Sequence, residues 1–185
     1  MQPRAILLDR DGVINADSPD YILSPDQWQP LPGSIEAIAR LNQAGLLVGV
    51  CSNQSAVGRG MISEDTLRAV HQRMAAQLKA QGAHLDAIAV CPHAPTDDCN
   101  CRKPRPGLIE KLLNQWDLAP DDAVFIGDSA RDIQAAVAAG VEGWLVRTGN
   151  GRQTERQWAD HHTQPKTFDD LNAAVNALLN RPTHE

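Results

Sequence analysis

Short apolar runs alternate along the chain with stretches in which apolar residues recur every three or four positions. Ala5–Leu8, Leu46–Cys51, Ala87–Val90, Ala123–Ile126 and Trp144–Val146 are unbroken and of strand length. Such runs mark strands buried on both faces. Between and after them come sets with a helical period. These are Ile35, Ile38 and Leu41; Leu67, Val70, Met74 and Leu78; Leu108, Ile109, Leu112, Leu113 and Trp116; Ala130–Ala139; and Leu171, Val175, Leu178 and Leu179. Pro32 opens the first and Gly45 closes it, Ser63 is placed to cap the second, and Gly140 ends the fourth. Strand–helix alternation predicts an α/β fold: a three-layer, Rossmann-like parallel sheet with helices on both faces. The polar segment Asn15–Leu31 is long for a connection, which is common in functional loops, yet too short for a separate cap domain. Residues 150–166 are polar and weakly patterned and read as a surface loop.

The length, 185 residues, suits a single domain over 1–185. An apolar fraction of 42% argues against wholesale disorder. No apolar run reaches membrane-spanning length, and the start lacks a charged segment followed by an apolar one. The expectation is a cytoplasmic protein with no membrane partner. A net charge of -6 and only seven aromatic residues argue against nucleic-acid binding, which needs a basic stripe or stacking platforms. No large apolar face is evident, so a monomer is expected.

The first strand ends in Asp9-Arg10-Asp11-Gly12. Ligands of open α/β sheets bind past the carboxyl ends of strands. In a fully extended segment both carboxylates face the same way, where they repel and call for a hard cation such as Mg²⁺. The second strand leads into Ser52-Asn53-Gln54-Ser55 and then Arg59, groups that suit phosphate oxygens. Arg102 and Lys103 bring positive charge, and Gly127-Asp128 follows the fourth strand, where Asp128 can complete a Mg²⁺ site with Asp9 and Asp11. Asp132, in the first turn of a helix, reads as structural.

Cys91, His93, Cys99 and Cys101 lie within eleven positions. Three thiols and one imidazole make a closed tetrahedral set, the arrangement of structural Zn²⁺. Its expected work is to stiffen the loop that presents Arg102 and Lys103. Cys51 reads as a core residue; His71, His84, His161, His162 and His184 read as solvated or packed.

Together these residues resemble the haloacid-dehalogenase-like phosphatases over nearly the whole chain. The family's order of Asp-x-Asp, Ser/Thr, Lys and Gly-Asp recurs as Asp9/Asp11, Ser52, Lys103 and Gly127/Asp128. Asp9 to Asn15, Asn53-Gln54-Ser55 and the Cys/His loop running into Arg102-Lys103-Pro104 are similar to the branch of heptose-bisphosphate and histidinol-phosphate phosphatases. The resemblance implies a two-step hydrolysis of a small sugar phosphate. Asp9 is the nucleophile and Asp11 the acid and base. Mg²⁺ is bound by Asp9, the carbonyl of Asp11 and Asp128, and Ser52 and Lys103 hold the phosphoryl oxygens. Leu145 to Gly149 and Ser129 to Ala136 look like the heptose enzymes, whereas the five-residue spacer between His93 and Cys99 is similar to the histidinol-phosphate enzymes. The expected reaction is loss of the 7-phosphate of a glycero-manno-heptose 1,7-bisphosphate, in lipopolysaccharide core or nucleotide-heptose synthesis. Histidinol phosphate is the alternative. Asn53, Arg59 and Arg102 are expected to contact the sugar or its distal phosphate.

Overall fold

The computed structural model describes residues 2–159 and 164–180. His161, His162 and His184 lie outside the described residues. In chain order the elements are β1 (Ala5–Leu8), α1 (Ser34–Gln43), β2 (Leu47–Asn53), α2 (Ser55–Gly58), α3 (Glu64–Ala80) and β3 (Ala87–Cys91). There follow α4 (Gly107–Gln115), β4 (Ala123–Gly127), α5 (Ala130–Ala138), β5 (Glu142–Val146), α6 (Gly151–Trp158), β6 (Lys166–Phe168) and α7 (Leu171–Leu179). The six strands form one sheet in the order β3-β2-β1-β4-β5-β6, every pair parallel. The expected α/β architecture is therefore present.

Alternation along the strands divides the core in two. Ile6 and Leu8 point to one face, with Val48, Val50, Val124 and Ile126, and are covered by apolar residues of α1, α3 and α7. Ala5 and Leu7 point to the other, with Phe125, and are covered by α4 and α5. Each fully buried aliphatic side chain contributes about 1.5–3 kcal/mol. Sequential strands run outward from β1 in both directions, so the sheet changes direction between β1 and β4, where a crevice opens.

Three readings of the sequence need correction. Within the stretch 150–166, expected as a loop, α6 occupies Gly151–Trp158 and β6 begins at Lys166. The buried residues of α6 are Gly151 and Thr154, with the half-buried Trp158 as the one large apolar side chain on that side, so no hydrophobic period shows. A Cβ at Gly151 would stand 1.7 Å from the Val146 carbonyl oxygen, and Thr154 Oγ1 donates to the Asp128 carbonyl at 2.9 Å. β2 runs past Cys51, since Ser52 and Asn53 continue the ladder opposite Val90 and Cys91. Third, the chain is not extended through Asp11. The Arg10 carbonyl accepts from the backbone N–H of Ile14 at 2.9 Å and of Asn15 at 3.2 Å, which turns the chain and sends the two carboxylates to different partners.

Candidate active site and metal centres

The carboxyl ends of β1, β2 and β4 open into a cleft of about 370 Å³. Asp9 continues the row of Ala5 and Leu7 and faces the α4/α5 side. There its Oδ1 lies 2.9 Å from Lys103 Nζ and accepts from the Arg10 backbone N–H at 2.7 Å. Lys103 Nζ also lies 2.7 Å from Asp132 Oδ1, donates to the Cys51 carbonyl at 2.8 Å and stands 5.4 Å from the centre of the Phe125 ring. Its backbone is fixed by Asn53, whose Oδ1 accepts from Lys103 N and whose Nδ2 donates to Lys103 O, both at 3.0 Å. Asn53, at the end of β2, therefore anchors the loop carrying the lysine.

Oxygen atoms of Asp9, Asp128 and Asp132 lie within 4.8 Å of one another. Asp132 Oδ2 accepts from the N–H groups of Asp128 and Ser129 and from Ser129 Oγ, which caps α5, while Oδ1 pairs with Lys103. Asp128 Oδ2 accepts from Asn150 N at 2.8 Å and Asn150 Nδ2 at 3.2 Å. Two glycines make room for it: a Cβ at Gly12 or Gly149, both at positive φ, would come within 2.2 Å of that oxygen. Three clustered acids face one lysine, so negative charge is in excess. Burial, Asp132 and the other acids push the Asp9 carboxyl well above its usual range despite Lys103. Burial and Asp132 push Asp128 up to about 7. Excess buried negative charge on hard oxygen donors fits a divalent cation such as Mg²⁺.

Asp11 is turned away from this group. Its Oδ1 accepts from Arg10 Nε and Nη2 and from Asn15 Nδ2; its Oδ2 accepts from Arg10 Nη2 and Gln54 Nε2. Burial alone would raise its pKa, but Arg10 and these hydrogen bonds outweigh burial and hold it below the usual range. Arg10 itself is fully buried on the α3 side, with Nη1 3.2 Å from His71 Nε2. Burial and the Arg10 charge lower His71 to about 4. Because its folded value lies below the unfolded one, its contribution to stability is complete above pH 6.5 and is lost as the pH falls towards 4. Urea unfolding is expected to show up to about 3 kcal/mol of such loss, absent from His71→Leu.

In the loop after β3, Cys91 Sγ lies 3.5 Å from His93 Nδ1 and 3.7 Å from Cys99 Sγ, and His93 Nδ1 lies 3.3 Å from Cys101 Sγ. A disulfide needs about 2 Å between sulfurs, so these are thiols. With Zn–S near 2.3 Å and Zn–N near 2.0 Å, the edges of a tetrahedron come to roughly 3.5–3.8 Å, and the donor set fits Zn²⁺. The loop is tied to β2 and α2, since Gln54 N donates to the Cys91 carbonyl and Gly58 N to the Pro92 carbonyl, both at 2.8 Å. A Cβ at Gly58 would collide with Pro92 and Ala94.

The residues expected from sequence at the reacting centre thus stand as follows. Asp9, Asp11, Asn53, Arg59, Arg102, Lys103 and Asp128 all line the cleft. Ser52 does not: it is buried beneath, its Oγ accepting from Gln54 Nε2 at 2.8 Å. Asp17, Ser18, Pro19, Tyr21 and Ile22 also line it, from the long Asn15–Leu31 segment whose length suits a functional loop; Arg131 and Asn150 line it too, with no local signal in the sequence. Asp132, read as a structural acid in the first turn of a helix, caps α5 and is also an ion-pair partner of Lys103, which no local pattern shows. An arginine between two aspartates at the end of an apolar run was the available hint of the Arg10 clamp. Among the described residues no helix is long and apolar enough to cross a membrane.

A parallel sheet with an Asp-x-Asp tip, a buried lysine and a third acid at the topological switch defines a class, and the HAD-hydrolase-like family model matches residues 100–174. The chain belongs to the haloacid-dehalogenase-like hydrolases. It is 48% identical over 176 residues, 95% of this chain and 98% of the relative, to the D-glycero-beta-D-manno-heptose-1,7-bisphosphate 7-phosphatase of Bordetella bronchiseptica. It is 44% identical over 179 residues, 97% of this chain and 99% of the relative, to the enzyme of the same description from Pseudomonas aeruginosa. A crystal structure of the B. bronchiseptica D,D-heptose 1,7-bisphosphate phosphatase complexed with magnesium and phosphate superposes with a TM-score of 0.91, at 43% identity, covering 98% of this chain and 100% of that one.

Proposed function

We propose that the chain removes the 7-phosphate of D-glycero-β-D-manno-heptose 1,7-bisphosphate by way of an aspartyl-phosphate. The observation that carries the reading is the meeting of Asp9, Asp128 and Lys103 at the floor of the cleft, in a chain nearly half identical to relatives described by that activity. Asp9 Oδ1 is taken by Lys103 and the Arg10 N–H, so Oδ2 is the oxygen left to attack phosphorus. Lys103 neutralises charge that develops on the phosphoryl group, and the buried Ser52 hydroxyl lies behind Asp11, joined to it through Gln54. Asp11 gives a proton to the leaving sugar oxygen and then takes one from the water that hydrolyses the acyl-phosphate. Its hydrogen-bond cage favours the carboxylate, the form needed for the second step; the nearby phosphate dianion raises its proton affinity for the first.

Asp9, the Asp11 carbonyl and Asp128 would hold Mg²⁺, leaving Asp132 to Lys103 and the α5 cap. When bound, the ion offsets the excess negative charge and polarises the phosphoryl oxygens. Arg59 and Arg102, on the wall of the cleft, suit the sugar and its second phosphate, while Asn53 serves mainly by pinning Lys103. Phosphate release with Mg²⁺ present, followed by ³¹P spectra of the product, tests the reading. The 1-phosphate should accumulate from the heptose bisphosphate. Equal or faster turnover of histidinol phosphate would overturn the choice of substrate.

Cys91, His93, Cys99 and Cys101 would hold Zn²⁺ in a closed structural site. Elemental analysis of fresh protein is expected to give one zinc per chain. Stripping it should lower the melting temperature by roughly 5–10 °C and cut turnover by freeing the loop that carries Arg102 and Lys103. Fresh protein without zinc would refute this.

A further inference from the structure

Arg10 sits between the two catalytic aspartates, yet it faces away from the cleft. It continues the row of Ile6 and Leu8 and enters the core beneath α3, fully buried. A buried guanidinium is costly unless its charge is balanced and its N–H groups are bonded. Asp11 supplies the charge and three contacts, from Nε at 3.0 Å and from Nη2 at 2.9 and 3.1 Å. Gln54 Oε1 accepts from Nη2 at 3.1 Å. That leaves Nη1, which lies 3.2 Å from Nε2 of His71 on α3.

Arginine has only donors. At this contact the imidazole nitrogen must therefore be the acceptor. His71 is then neutral, with its proton on Nδ1, and Nε2 holds the far end of the guanidinium. The depressed pKa of His71 agrees with this form. Gln54 closes a ring: it accepts from Arg10 through Oε1 and donates through Nε2 to Asp11 Oδ2 and Ser52 Oγ, both at 2.8 Å.

We infer that His71 is a positioning residue for the acid–base step, acting through Arg10 on the Asp11 carboxylate. The inference rests on the phosphatase reading above. His71 is not among the residues that line the cleft, so it has no direct part in holding substrate. Its effect comes through orientation. Freed at Nη1, the planar guanidinium can tilt about its Cδ–Nε bond and draw Asp11 and Gln54 with it. A carboxylate displaced by a fraction of an ångström transfers its proton poorly.

This predicts a dependence on the leaving group. A sugar alkoxide needs the proton from Asp11 as the P–O bond breaks; a nitrophenolate leaves without it. His71→Leu, which removes the acceptor at similar volume, should lower kcat on the sugar phosphate about tenfold, with little change in KM. On 4-nitrophenyl phosphate the loss should stay within about threefold. His71→Gln, which restores an acceptor oxygen, should recover most of the sugar-phosphate rate. Equal losses on both esters, no loss at all, or a loss that His71→Gln does not repair would each overturn the inference. Imidazole ¹⁵N spectra of the wild-type protein give a second readout that needs no variant. Nε2 should be unprotonated at pH 7, and a proton found there would overturn the inference even if His71→Leu fails to fold. Wild-type protein that turns over neither ester would instead sink the phosphatase reading itself.

Discussion

Asp9→Asn is expected to lower turnover by at least about 10⁴-fold, the loss typical of removing a nucleophile, while leaving the fold as stable as before or slightly more so. The amide oxygen can still accept from the Arg10 N–H and Lys103. What disappears is a negative charge that burial, Asp132, Asp128 and Asp11 all disfavour and that Lys103 offsets only in part. Function and stability thus pull in opposite directions at this position, as expected where a buried charge is kept for chemistry. The measurement has two arms. Thermal melts should show no loss of stability. Wild-type protein quenched in acid during turnover should carry one added phosphoryl group on the peptide containing Asp9, and Asp9→Asn none. A variant that still releases phosphate at the original rate would show that Asp9 is not the attacking group.

The layout of the sheet was legible because its strands are buried on both faces and so appear as unbroken apolar runs, such as Ala5–Leu8 and Ala123–Ile126. The site was legible where chemistry interrupts those runs at their carboxyl ends, as at Asp9 and Asp128. Elements that pack through small or polar groups left no such trace. α6 rests on Gly151 and Thr154, and β6 is a three-residue edge strand holding one large apolar residue, Phe168. Ion-pair and hydrogen-bond partners across the fold were also hidden. Nothing in the local pattern joins Lys103 to Asp132, or Arg10 to His71 sixty-one residues away. The direction of the Asp11 side chain depended on a turn at Arg10 that the apolar pattern does not encode.

Lys103→Met tests the other half of the charge arrangement. Lys103 is 2% exposed and is the cation that lies between Asp9 and Asp132. Methionine can fill the space against Phe125, so the expected damage is electrostatic. Breaking a buried pair from one side costs about 3–5 kcal/mol, and loss of the phosphoryl-facing charge should cut turnover by roughly 10²–10³-fold. The stability loss should depend on pH with a definite sign. In the wild type, burial would raise Asp132, but Lys103 and the α5 cap hold it below its usual range, so its contribution is present above the unfolded value and lost in acid. Without the lysine, the Asp9 and Asp132 carboxyls both bind protons more tightly than in the unfolded chain. In the variant these two carboxyls therefore favour folding in acid and weaken it as the pH rises past the unfolded carboxylate value, while the His71 and Asp11 contributions are common to both proteins and cancel in the difference. Lys103 itself titrates above its ordinary value, so it stays charged across this range and adds no slope. The gap between wild type and variant should therefore widen from pH 5 to pH 8 in chemical denaturation. A gap that is constant, or that narrows towards pH 8, would mean that the two acids are balanced by something other than this lysine.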